Sequence, residues 1–116
     1  MLRFFSTIAM GALVVACGGS SLPPPQVADT QSSISAAAAV GAEQHPQAAL
    51  HLKMARDQLR QAQALMSDGD SDEARLVLER AEADAQLALM ITREAVASNN
   101  ARKAQQDVQN LGTRTQ

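Results

Sequence analysis

The sequence predicts an all-α protein: an antiparallel helical hairpin or a small three-helix bundle with a long C-terminal helix, placed behind a signal peptide and a flexible tether. Three observations carry that expectation. From Val27 onward the chain is rich in alanine, the residue of highest helix propensity. Two long segments then repeat their apolar residues at alternating steps of 4 and 3. Finally, GAEQHP and DGD interrupt the pattern in two places, which divides it into three helices.

Residues 1–16 read as a cleaved signal peptide. Met1 to Phe5 carries one charge, Arg3, and Phe4 to Ala16 is apolar or small, shorter than the roughly 20 residues that span a bilayer. Cys17, the only cysteine, follows at once. Val14, Val15, Ala16 and Cys17 resemble the lipobox of bacterial lipoproteins, with an aliphatic residue three before the cysteine and a small one just before it. The resemblance implies acyl chains on the Cys17 sulfur, palmitate among them. They would anchor the protein to a membrane, each buried methylene contributing about 0.8 kcal/mol. An ordinary secretory signal cut near Ala16 would instead leave Cys17 free. Lipoproteins kept in the inner membrane commonly carry aspartate where this chain has Gly18, so the resemblance favours the periplasmic face of the outer membrane. Residues 17–26 then form a tether, because Gly, Ser and three consecutive prolines in GGSSLPPPQ disfavour helix and paired strand. Extended at about 3 Å per residue, it reaches on the order of 25 to 30 Å.

The helical domain is expected over residues 27–112. In its first segment Val27, Ile34, Ala37 and Val40 or Gly41 share one face of small residues. Pro46 ends that segment and opens the next, since the residue before a proline is pushed out of the helical region while proline suits a first helical turn. In PQAALHLKMARDQLRQAQALMSD the stripe is Ala48, Leu52, Ala55, Leu59, Ala62 and Met66. Asp68–Gly69–Asp70 breaks it, and Asp70 with Glu73 has the form of a capping box. In the third helix Ala74, Leu78, Ala81, Ala85 and Ala88 continue the spacing, flanked by Val77 and Ile91, so the two stripes can face each other. The third helix runs on to Leu111 with Gly112 as its stop, or bends at Ser98, Asn99 and Asn100. Residues 113–116 are expected as a disordered tail.

Composition excludes several functions. Without residues 1–16, 9 Lys and Arg stand against 12 Asp and Glu, a formal charge of −3, and both phenylalanines are gone from a chain that has no Trp or Tyr. Stacking on bases or sugars needs ring faces that are missing, and an acidic domain does not attract phosphate backbones, so no nucleic acid partner is expected. The core must be built from Ala, Leu, Val, Ile and Met.

The run from the first helix through GAEQHP and ARDQLRQAQALMSDGDSDEARLVLERAEADAQLA resembles the bacterial lipoprotein family catalogued as domain of unknown function 4398, over about residues 27–97. The resemblance implies an alanine-rich helical architecture and an envelope location. It implies no activity. The SDGDSDEAR turn also looks like the turn of a tetratricopeptide unit, without that repeat's Trp and Tyr positions.

No enzyme and no cofactor are expected. His45 and His51 lie six apart across Pro46, and a structural zinc site needs three or four convergent ligands, so capping or surface roles fit them better. Asp68, Asp70, Asp72 and Glu79 match positions of a calcium loop, but Glu73 stands where that loop needs glycine. A solvated turn with a helix cap fits better. On the helix surface, Arg75 can pair with Glu79, and Arg80 with Asp84, each four residues on.

The informative feature is a second apolar line on the third helix, Leu76, Ala83, Leu87 and Met90. Either the first helix covers it, completing a three-helix bundle, or it is exposed and marks a partner or self-association face. The sequence therefore leads to a lipid-anchored, noncatalytic interaction or scaffolding module of the envelope. The alternative is a homo-oligomeric coiled-coil spacer, and a metal-binding or enzymatic role for His45, His51 and the Asp68 turn ranks third.

Overall fold

A computed structural model describes residues 24–114, with side chains from residue 26 to residue 114. Within it the protein consists of three helices, α1 (Pro24–Ala39), α2 (Pro46–Asp68) and α3 (Ser71–Arg114), with one turn of 3-10 helix at Ala42–Gln44 between the first two. Cys17, the signal peptide, the tether as far as residue 23 and residues 115–116 lie outside the described residues. Among the described residues, no helix is long and apolar enough to cross a membrane.

α1 begins three residues before the expected Val27, which shortens the tether at that end. Pro24 and Pro25 occupy the first turn, where the amide hydrogens they lack would have no intrahelical acceptor. Ile34 and Ala37 are buried as expected, together with Thr30, whose hydroxyl donates to the Gln26 carbonyl at 3.1 Å. Val40 is not part of that face and is 40% exposed. Gly41 takes up a left-handed conformation at φ 91° and turns the chain, so Ala42 enters the core in its place.

α2 starts at Pro46 behind an extended His45 and ends in a Schellman turn. Gly69 is left-handed at φ 90°, its amide donates to the Met66 carbonyl at 3.2 Å, and the Asp70 amide donates to the Leu65 carbonyl at 2.9 Å. The loop is thereby tight enough for α2 and α3 to pair as an antiparallel hairpin. Ala48, Leu52, Ala55, Leu59 and Ala62 of α2 are buried, and Met66 is half-buried against the core. They meet the buried Ala74, Leu78, Ala81, Ala85 and Ala88 of α3, with Val77 buried and Ile91 half-buried at the flank. Thr92, which extends this seam by one step, hides its hydroxyl by donating to the Ala88 carbonyl at 2.8 Å. Among the described residues, nine of the 14 buried apolar ones are alanine, so the core depends on close helix approach and on few large side chains.

α1 packs into the angle between the hairpin helices and makes the bundle three-stranded. Ser33 Oγ donates to Glu82 Oε1 at 2.6 Å, and Gln26 and Thr30 lie level with Arg75 and Glu79, so α1 runs parallel to α3. α3 is 44 residues long, about 66 Å, and has no break at Ser98 to Asn100. It also passes through Gly112 without stopping there. Every residue from Val96 to Arg114 is exposed.

Candidate functional site

Polar contacts fix how α3 is rotated in the bundle. Asp84 points to α2, where its two carboxylate oxygens accept from His51 Nδ1 at 2.8 Å and Gln58 Nε2 at 2.9 Å. Glu82 points to α1, and its Oε1 accepts from Ser33 and, at 2.7 Å, from Gln86. Residues two apart on a helix lie about 200° apart around its axis, so α2 and α1 occupy opposite flanks of α3. The alanine seam lies between those flanks. The remaining face points outward.

The four residues of the second apolar line all lie on that outward face. Leu76 is 49% exposed, Leu87 42%, Met90 66%, and Ala83 is exposed as well. α1 does not cover them. It lies over Glu82, on the flank, and leaves the far side of α3 open. The line also continues where the sequence reading did not follow it. Taken at steps of 4 and 3, the outward positions are Leu76, Arg80, Ala83, Leu87, Met90, Glu94, Ala97, Ala101, Ala104 and Val108, all exposed. Two charges interrupt the series. Arg80 and Glu94 hide the heptad from a reading that follows apolar residues alone, although the unbroken 3.5-residue spacing from Leu76 to Val108 was a signal that could have found it.

Arg80 does not pair with Asp84, because α2 takes up both of that carboxylate's oxygens. Neither Arg80 nor Glu94 has an ion-pair partner among the described residues. Arg75 and Glu79 do pair, at 2.9 Å, and Arg56 of α2 reaches Glu43 of the 3-10 turn at the same distance. On the α2 surface Lys53 donates to Asp57 at 2.7 Å, and that hydrogen bond, with the Lys53 and Arg60 charges, holds the Asp57 carboxyl below the usual carboxylate range.

The other sequence candidates are distributed differently. His51 is engaged by Asp84 between α2 and α3, while His45 stands at the N-cap of α2 without a side-chain capping bond. Asp68 and Asp70 flank the glycine turn, and Asp72 lies in the first turn of α3. The reciprocal Asp70–Glu73 side-chain bonds of a capping box are not among the hydrogen bonds of the described residues, and Asp70 starts α3 through its carbonyl, which accepts from the Ala74 amide at 2.9 Å. Among the described residues, no group of three or more His, Cys, Asp or Glu is arranged to hold a metal ion. A groove of about 370 Å³ between α1 and α3 is lined by Asp29, Thr30, Arg75, Glu79 and Glu82, a rim of surface charges in which Arg75 and Glu79 neutralise each other.

The model of the domain of unknown function DUF4398 matches residues 25–111, three quarters of the chain. The chain belongs to the DUF4398 family. The match extends past the residues 27–97 over which the sequence resemblance was read, so the outward heptad as far as Val108 lies within the family domain and is no appendage to it. No curated protein and no solved structure matches the chain.

Proposed function

We propose that this DUF4398 protein is a noncatalytic helical module of the bacterial envelope, held by acyl chains on Cys17 to the periplasmic face of the outer membrane, and that it works by presenting the outward face of α3 to another helix. The observation that carries the reading is the exposed heptad from Leu76 to Val108, whose Leu87 and Met90 put large apolar side chains into water on a helix whose opposite face is packed from Ala74 to Thr92. A helix apolar on two sides gains by being covered on both. The anchor is supported by the Val14–Val15–Ala16–Cys17 sequence alone.

Photocrosslinking in intact cells tests the module. Probes at Leu87, Met90 and Val108 are expected to give discrete products, and no product at any of the three would overturn the reading. Incorporation of labelled palmitate tests the anchor separately, since Cys17→Ser should abolish it. Retained label in that variant, or none in the parent protein, would count against lipidation. The spacer alternative, in which copies assemble with one another, is favoured by the length of the heptad, which exceeds the length of α2.

A further inference from the structure

We infer that the outward face of α3 pairs with the same face of a second copy of this chain, and that the two α3 helices run antiparallel about a centre between Leu87 and Met90. The inference rests on the reading that this face binds a helix, and it names that helix.

The two charges in the heptad decide the partner and its direction. In seam positions they face the partner directly and are the worst residues to bring against their own kind. A parallel, in-register pair would set Arg80 against Arg80 and Glu94 against Glu94. The antiparallel pair removes both conflicts. With Leu87 packed on Met90 of the second copy, and Met90 on its Leu87, Ala83 meets Glu94 and Ala97 meets Arg80. Each Arg80 then lies about one layer, roughly 4.5 Å along the axis, from Glu94 of the other helix, within reach of its flexible side chain. The small residues Ala83 and Ala97 leave room for the two ion pairs that close the seam at either end. Beside the seam, Arg93 approaches Gln86 of the second copy and Glu79 approaches its Asn100, so no like charges meet. Arg80 and Glu94 are free for these pairings, because neither is used by an ion pair within the described chain.

The bundle geometry is compatible with anchoring. A twofold axis perpendicular to the plane of the two α3 helices keeps both α1 helices on one side of that plane and both α2 helices on the other, since Glu82 and Asp84 direct α1 and α2 to opposite flanks. Both chains therefore enter from the same side. Such a dimer can lie along a single membrane surface with its two N-terminal tethers beneath it.

Sedimentation of the full-length chain in a nonionic detergent, with circular dichroism as the check on folding, tests the pairing. The chain should sediment as a dimer. Leu87→Asp with Met90→Asp should sediment as a monomer that keeps the helicity of the bundle and loses at most that of the exposed end of α3 beyond Val96. Arg80→Glu and Glu94→Arg should each weaken the dimer about tenfold, and the two together should restore most of the loss, because the exchanged charges still meet in an antiparallel pair. In a parallel dimer the double variant would again oppose like charges, so failure of the rescue overturns the direction. A monomer up to about 100 µM overturns self-pairing. If that monomer still forms a discrete crosslink with a different protein at Met90 in cells, the interaction module stands and only this inference falls. If none forms at Leu87, Met90 or Val108, both fall.

Discussion

Replacing Leu52 by alanine should remove a large part of this domain's stability. Leu52 is 1% exposed and, among the described residues, is one of the two largest side chains that are almost wholly enclosed. Its neighbours along α2 are Ala48 and Ala55, and the His51–Asp84 bond sets it level with Ala85 on α3. None of these alanines can extend into the space that Leu52 vacates. Deleting three carbons costs about 2.4 kcal/mol of transfer free energy. A residual cavity of about 50 Å³ adds about 1.2 kcal/mol, for a loss near 3.5 kcal/mol. A domain of this size is stable by about 5 to 10 kcal/mol, and each kilocalorie moves its midpoint by about 4 to 8 °C, so the melting temperature should fall by at least about 14 °C. Urea unfolding followed by circular dichroism at 222 nm provides the free energy directly. Leu50→Ala, at a site 56% exposed on the same helix, should change it by less than about 0.5 kcal/mol. A loss below about 1 kcal/mol for Leu52→Ala, or equal losses for the two variants, would refute the packing of α2 on α3 described above.

Four further outcomes are expected. Ala85→Leu forces a large side chain between closely packed helices and should cost about 1 to 3 kcal/mol in the same urea assay, whereas Ala83→Leu on the outward face should not when both are made in the monomeric Leu87→Asp, Met90→Asp protein. Asp84→Ala takes the acceptor from both His51 and Gln58, and since Gln58 Oε1 is already buried without a hydrogen-bond partner, the loss should be about 1 to 3 kcal/mol. Gly69→Ala introduces a side chain at φ 90° with open space around it, so the change should cost about 1 to 2 kcal/mol from backbone strain alone, with Gly69→Asn milder. Hydrogen exchange should find the amides of Val96 to Asn110 fast in the monomeric Leu87→Asp, Met90→Asp protein, because a fully exposed helix of that length is marginal in water, while those of Ala74 to Ala88 stay protected.

Much of this fold could be read from the sequence, and the parts that could not have local physical causes. The limits of α2 and the start of α3 follow from Pro46 and Gly69, because each residue type fits one backbone conformation far better than its neighbours do. The start of α1 was missed for the same chemistry read in the other direction, since prolines that break a helix interior are harmless in its first turn. Gly112 does not stop α3, because a helical glycine in open space costs only about 1 kcal/mol. Arg80 and Asp84 have the right spacing to pair, yet residues of α2, 26 and 33 positions away in the chain, hold the carboxylate. Only tertiary structure reveals that competition. Leu76, Ala83, Leu87 and Met90 of the outward line were legible as apolar residues. Their exposure was not, because it depends on α1 lying over the flank of α3 and leaving its far side open.

The two faces of α3 differ in a way that separates folding from recognition. The inward seam, from Ala74 to Thr92, carries no charge and is mostly alanine, which lets two helices approach closely and commits that face to the chain's own fold. The outward seam carries larger residues at Leu76, Leu87, Met90 and Val108, spaced out by alanines and interrupted by one positive and one negative charge. A continuous apolar seam would bind any similar surface and aggregate. A charge at a seam position weakens that contact and makes it depend on what stands opposite, trading stability for register and direction. Placing charges of opposite sign at Arg80 and Glu94, one on each side of Leu87 and Met90, makes the seam complementary to its own reverse. This leaves the outward face stable enough in water for the bundle to fold alone, and selective enough to discriminate between partners that present the same apolar residues.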